Sequence, residues 1–145
     1  MIHCTYLIMN QDSHSDQQIV DILSLRTVAV IGMSKHSSKA AHYVPKYLID
    51  NGYDVTPVNP TADKILDIRC YDLVSEITDP VYIIDVFRPS EQISSIIGDC
   101  IEKKPKVIWL QEGIHDFESE ELARKDGILV VFNRCMLAEH MKLGL

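Results

Sequence analysis

Residues 27–32 read TVAVIG, a short, nearly unbroken apolar run rich in β-branched residues that stops on a glycine. A strand covered on both faces of a parallel sheet reads this way, whereas a strand with one wet face alternates apolar and polar positions. Comparable runs recur downstream at Tyr53–Val58, stopped by Asn59-Pro60, at Val81–Phe87 (VYIIDVF), at Val107–Leu110 and at Ile128–Phe132. A weaker segment at Ile68–Tyr71 is a candidate short extra strand.

Helical spacing fills the intervals. Val44, Tyr47 and Leu48 form one inward face of a helix ended by Asn51-Gly52, and Pro45 is expected in its first turn, where a missing N–H breaks no hydrogen bond. Pro89 opens a second helix, with Ser90 and Glu91 in its first turn. There Ile93, Ile96, Ile97, Cys100 and Ile101 follow the i, i+3, i+4, i+7, i+8 rule, and Lys103 and Lys104 suit the negative end of the helix dipole. Asp116 caps an acidic helix running to Lys125 and ended by Asp126-Gly127. A short last helix carries Met136, Leu137 and His140.

Upstream, Ser15 or Asp16 offers an N-cap for a helix bearing Ile19, Ile22 and Leu23. Residues 1–14 read as an arm or a weak extra strand. Strands alternating with helices of these lengths imply an α/β fold, a Rossmann-like doubly wound parallel sheet of about five to six strands with helices on both faces. Residues 1–26 form an arm and short helix, and residues 27–145 form the sheet domain.

The whole chain has 145 residues, 46% hydrophobic and 24% charged, with a formal net charge of −7. That length suits a single domain with its own core. The acidic balance argues against a nucleic-acid partner, and no apolar run approaches the roughly 20 residues of a membrane span. The N-terminus lacks the basic start of a signal peptide, which makes the cytoplasm the expected compartment. The four cysteines, Cys4, Cys70, Cys100 and Cys135, contain no C-x-x-C pair, so neither zinc nor a disulfide framework is expected.

Ligands of open parallel sheets bind beyond the carboxyl ends of the strands. Within the loop and helix after the first strand, the acidic chain turns locally basic. From Thr27 to Ile49 there is no Asp or Glu, but there are Lys35, Lys39, Lys46, His36 and His42. The N–H groups at a helix N-terminus favour anions, and Ser34, Ser37 and Ser38 add hydroxyl donors, so a phosphate-bearing ligand is the natural partner. The alternative is a solvated basic loop. Gly32 is not followed by the remaining glycines of G-x-G-x-x-G, and no acid follows the second strand to hold a ribose diol, which disfavours NAD. NADP is less excluded, and the P-loop pattern is absent.

Six ordered segments then carry a family resemblance: Val30–Ser34 (VIGMS), His42–Leu48 (HYVPKYL), Gly52–Pro60 (GYDVTPVNP), Asp85–Glu91 (DVFRPSE), Trp109–Gly113 (WLQEG) and Asn133–Met136 (NRCM) with Glu139-His140. Together they resemble the small stand-alone CoA-binding proteins related to the CoA-binding domain of the succinyl-CoA synthetase α subunit. The resemblance implies coenzyme A as cofactor. It places CoA phosphates at Gly32, Met33, Ser34 and Lys39, the adenosine at Val58, Asn59 and Pro60, and the pantetheine or phosphate path beside Phe87 and Arg88. One departure is Lys39-Ala40 where the family carries Arg-Pro, which exchanges a bidentate fork for a point charge.

Catalytic candidates are few. Cys135 follows Arg134 near a helix start, which favours a thiolate able to form a mixed disulfide with CoA; the alternative is a buried structural thiol. Asp85 with Arg88 reads as an acid and its ion-pair partner or as a loop cap, and His140 beside Glu139 as packing. Glu112 beside Gln111 lacks a partner base. The synthetase's phosphorylated histidine lies in a second domain for which this length leaves no room, so His115 takes no such role. The reading is a non-catalytic module binding CoA or an acyl-CoA. Its alternatives are an NADP-type oxidoreductase or regulator, and an interaction domain without ligand. Spare apolar surface on so small a unit also permits a homodimer.

Overall fold

The computed structural model describes residues 12–145; residues 1–11, most of the arm expected from the sequence, lie outside the described residues. Five strands form one parallel sheet: β1 (Thr27–Ile31), β2 (Asp54–Val58), β5 (Ile83–Val86), β6 (Val107–Leu110) and β7 (Leu129–Val131), in the order β2-β1-β5-β6-β7. The helices are α1 (Asp16–Leu23), α2 (Ala40–Asp50), α3 (Ile93–Glu102), α4 (Phe117–Lys125) and α5 (Met136–Lys142). The expected α/β, doubly wound architecture is the observed one.

Alternation along the strands sorts the core into two layers. Val28 and Val30 join Ile83 and Trp109 on the face covered by α1, α2 and α5, through Ile19, Leu23, Val44, Leu48 and Met136. Ala29 and Ile31 join Ile84 and Val86 on the face covered by α3 and α4, through Ile93, Ile97 and Ala123. Helix α1 therefore belongs to the same core as the sheet. It begins with a capping box in which Ser15 Oγ accepts from Gln18 N and Gln18 Oε1 accepts from Ser15 N.

Three elements differ from the sequence reading. The Ile68–Tyr71 segment does not enter the main sheet: β4 (Ile68–Arg69) pairs antiparallel with β3 (Lys64–Ile65) in a separate hairpin, and Tyr71 adds one parallel bridge to Val58. The turn between them sets Leu66 and Asp67 at positive φ, as a tight hairpin turn requires. Pro89 leads into a 3-10 turn at Ser90–Gln92 before α3 proper. Pro45 lies inside α2 rather than in its first turn. The acceptor that an N–H at position 45 would serve is the Ala41 carbonyl, and that carbonyl accepts instead from Ser34 N at 3.0 Å.

The edge strand β7 is covered by side chains. The Asp12 carboxylate accepts from Phe132 N and pairs with Arg134 at 2.7 Å, while His14 Nε2 meets the Val130 carbonyl at 3.0 Å. At the end of β1, Gly32 adopts φ +83°, and a Cβ there would stand 2.6 Å from the Phe87 carbonyl oxygen. Only glycine allows the backbones after β1 and β5 to approach so closely. Gly32→Ala should therefore lower unfolding free energy by about 2 kcal/mol or more in urea titration; an unchanged midpoint would show that the turn relaxes freely.

Candidate functional site

Strand order reverses between β1 and β5: α2 carries the chain from β1 to β2 on one side, while α3 and α4 carry it to β6 and β7 on the other. The crevice beyond the carboxyl ends at such a point is where open α/β sheets bind ligands. Gly32 N donates to the Val58 carbonyl at 2.9 Å and Phe87 N to the Ile31 carbonyl at 2.8 Å, extending the ladder one step into the loops. Asn59 then clamps the turn, its Nδ2 donating to the Met33 carbonyl at 2.8 Å and its Oδ1 accepting from Thr61 N and Oγ1.

The basic loop is closed on itself. Ser34 N meets the Ala41 carbonyl, His42 Nδ1 meets the Ser34 carbonyl at 2.8 Å, and His36 N donates to Ser34 Oγ at 3.0 Å. Because a carbonyl only accepts, His42 carries its hydrogen on Nδ1. Helix α2 opens at Lys39 with no side-chain cap. His42 N and Tyr43 N donate to the Lys39 carbonyl, which leaves the N–H groups of Ala40 and Ala41, residues of the larger cleft's wall, without an intrahelical acceptor. Lys35 and Lys39 are exposed and make no ion pair among the described residues, whereas Lys46 is held by Asp50 at 2.9 Å.

Two clefts meet at Arg88, and the larger also takes in Ala40 and Ala41 at the end of this loop. The smaller, of about 200 Å³, has apolar walls of Ile31, Val58, Pro60, Leu73, Val74 and Ile96, with Asp72 and Asp99 at its edge. The larger, of about 360 Å³, runs past Ala40, Ala41, Tyr43 and Phe87 to Gln111, Glu112 and Cys135. Phe87 and Arg88 thus line these clefts, with Val58 and Pro60 on the smaller one, while Gly32, Ser34, Lys39 and Asn59 line neither. Met33 is different: its side chain is fully buried in the core, so only its backbone reaches the turn. Sequence reading missed Tyr43, whose ring is half exposed at the mouth of the larger cleft, and Leu73, half exposed on the smaller one. An exposed aromatic beside an uncapped helix start was a signal for Tyr43; Leu73 follows the small hairpin, and nothing in its local pattern marks it.

The candidate reactive groups are mostly committed elsewhere. Asp85 pairs with Gln111, whose Nε2 donates to Oδ1 at 2.6 Å, and not with Arg88. Three positions apart on an extended chain, residues 85 and 88 point to opposite sides. Cys135 starts α5, and backbone N–H groups of Leu137 and Ala138 lower its pKa, but burial outweighs them and pushes the thiol up. The expected activation fails further because Arg134 is engaged by Asp12 and Glu139. His140 is buried, with Nδ1 2.7 Å from Tyr47 Oη and edge contacts to Tyr47 and Tyr53, and burial lowers its pKa. His115 meets Glu120 at 2.6 Å and stacks on Phe132. No metal-binding cluster occurs among the described residues, and no helix among them is long and apolar enough to cross a membrane.

Asp85 is fully buried with Oδ2 unpartnered, and burial pushes its pKa up to about 7, against the smaller opposing effect of the Gln111 bond. A pKa raised in the folded state means that folding favours the protonated acid. The cost of burying the charge is absent below the unfolded value near 4, grows as pH rises, and is complete above about 7. Asp85→Asn should therefore gain stability relative to the parent between pH 4 and 8 in parallel denaturation curves. A difference independent of pH would show that Asp85 is ionised throughout.

Residues 26–141 match the profile of the CoA binding domain family. The chain is 32% identical over 127 residues to the uncharacterized protein YneT of Bacillus subtilis, covering 87% of this chain and 94% of that one. A solved structure from Thermus thermophilus, cell-free ID.343, superposes with a TM-score of 0.86 at 37% identity, covering 90% of this chain and 99% of that one. A third relative is acetate–CoA ligase (ADP-forming) II of Archaeoglobus fulgidus, 31% identical over 139 residues, where the match spans 86% of this chain but 21% of the ligase. Over nearly its whole described length, the chain belongs to the CoA-binding domain family.

Proposed function

We propose that the chain binds coenzyme A or an acyl-CoA in the strand-end crevice, as a cofactor-binding module without catalytic machinery of its own. The observation that carries this reading is a closed, acid-free loop leading into an uncapped helix start, next to two clefts that meet at Arg88. An elongated cofactor with phosphates at its middle and less polar arms at both ends fits that order. The apolar walls at Val58, Pro60 and Leu73 suit an adenine ring. The channel from Phe87 to Cys135 suits the pantetheine arm.

The phosphates fall to the backbone around Gly32 and Ser34, to the point charge of Lys39 and to the guanidinium fork of Arg88. Helix-end N–H groups and cations together favour a polyanion. Asn59 sits where NAD-binding sheets place an acid, and it brings no negative charge toward a ribose phosphate. The segment of the ligase relative that matches this chain is 21% of a protein whose name includes CoA, which supports CoA as the ligand. A protonated Cys135 thiol and a buried Asp85 supply no ready nucleophile or accessible base.

A thermal-shift panel of CoA, acetyl-CoA, NADP and ADP tests the reading. At a hundredfold excess over Kd, CoA or acetyl-CoA should raise the midpoint by about 8 °C, and Lys39→Glu should abolish most of that rise. A larger shift with NADP, or none with either CoA species, contradicts it.

A further inference from the structure

We propose that Pro45 is a positioning residue of the cofactor loop: lacking an N–H, it leaves the Ala41 carbonyl to Ser34 and so closes the basic loop over the start of α2. The inference rests on the CoA reading for its functional consequence, but its structural half stands alone.

A proline in a helix interior is strongly disfavoured, because it removes one hydrogen bond and its ring crowds the carbonyl four residues back. In α2 that carbonyl belongs to Ala41, a residue that lines the larger cleft. Any other residue at 45 would present an N–H in register with this acceptor, with no loop to order. That local donor would compete directly with Ser34, whose N–H reaches the same oxygen at 3.0 Å across the loop.

Further contacts show what the closure organises. His42 Nδ1–H donates to the Ser34 carbonyl at 2.8 Å, so consecutive residues of α2 grip both peptide groups flanking Ser34. Inside the closed loop, His36 N donates to Ser34 Oγ and Lys39 N to the His36 carbonyl at 3.1 Å. Lys39 is thereby set at the helix start through a chain of bonds that begins at Ala41. Loss of the Ser34–Ala41 bond frees the whole basic segment, and a phosphate must then reorder it on binding. Pro45 is buried and lines neither cleft; its effect is transmitted through Ala41 and Ser34.

Amide hydrogen exchange at Ser34 and calorimetric titration with CoA, on the parent and on Pro45→Ala, decide the matter. In the parent, the Ser34 amide should exchange more slowly than the amides of Ser37 and Ser38. In P45A its protection should fall and CoA affinity should weaken by about fivefold, the loss of one hydrogen bond. The thermal midpoint should stay level or rise, since a proline has left a helix. A purely structural proline would instead lower the midpoint and leave Ser34 exchange and CoA affinity unchanged, which overturns the proposal. A parent Ser34 amide as fast as Ser37 overturns it without any variant. If Ser34 protection falls in P45A while neither protein binds CoA, the staple stands and the cofactor reading fails.

Discussion

The close approach of Gly32 to the Phe87 carbonyl is the constraint on which the site depends. A Cβ at residue 32 would stand 2.6 Å from that oxygen, so the two loops meet only because glycine is there. The same residue holds φ +83° and donates its N–H to the Val58 carbonyl, tying the ends of β1, β2 and β5 into one floor. Everything placed above that floor inherits its geometry. The Asn59 clamp on Met33, the position of Arg88 between the two clefts, and the start of α2 all follow from where the chain leaves Gly32.

Electrostatics then select what such a floor holds. A net charge of −7 would repel a polyanion, yet from Thr27 to Ile49 no acidic residue intervenes. Of the lysines in that stretch, Lys46 is paired with Asp50 down the helix, while Lys35 and Lys39 remain exposed on the loop that leads into α2. The remaining charges near the site are kept from acting as reagents. Asp85 is buried against Gln111, Arg134 is shared by Asp12 and Glu139, and the Cys135 thiol stays protonated. The accessible acids that remain, Glu112 on the larger cleft and Asp72 on the smaller, have no base beside them among the described residues, and the loop between residues 32 and 41 carries no acid.

The sheet is legible in the sequence because parallel strands buried on both faces leave continuous β-branched runs, as in TVAVI and VIWL. The crevice residues Gly32, Phe87 and Arg88 are legible for the same reason: each follows directly on such a run. Pairing choices are less so. Ile68 carries a strand-like signal, but whether it joins the main sheet or a hairpin is decided by the turn at Leu66 and Asp67, which use positive φ without glycine. Pro45 and Cys135 show the other kind of limit. The chemistry of each is local, but its outcome depends on partners far off in the chain: Ser34 taking the Ala41 carbonyl, and Asp12 drawing Arg134 away. No spacing rule contains those contacts.

Chemical-shift mapping of the backbone amides during titration with CoA tests the central claim most directly. Saturable perturbations should cluster at residues 32–41, 58–60, 87–89 and 111–113, on both sides of Arg88. Perturbations confined to the groove between α1 and Lys106 at the opposite end of the strands, or none at millimolar CoA, would contradict the account.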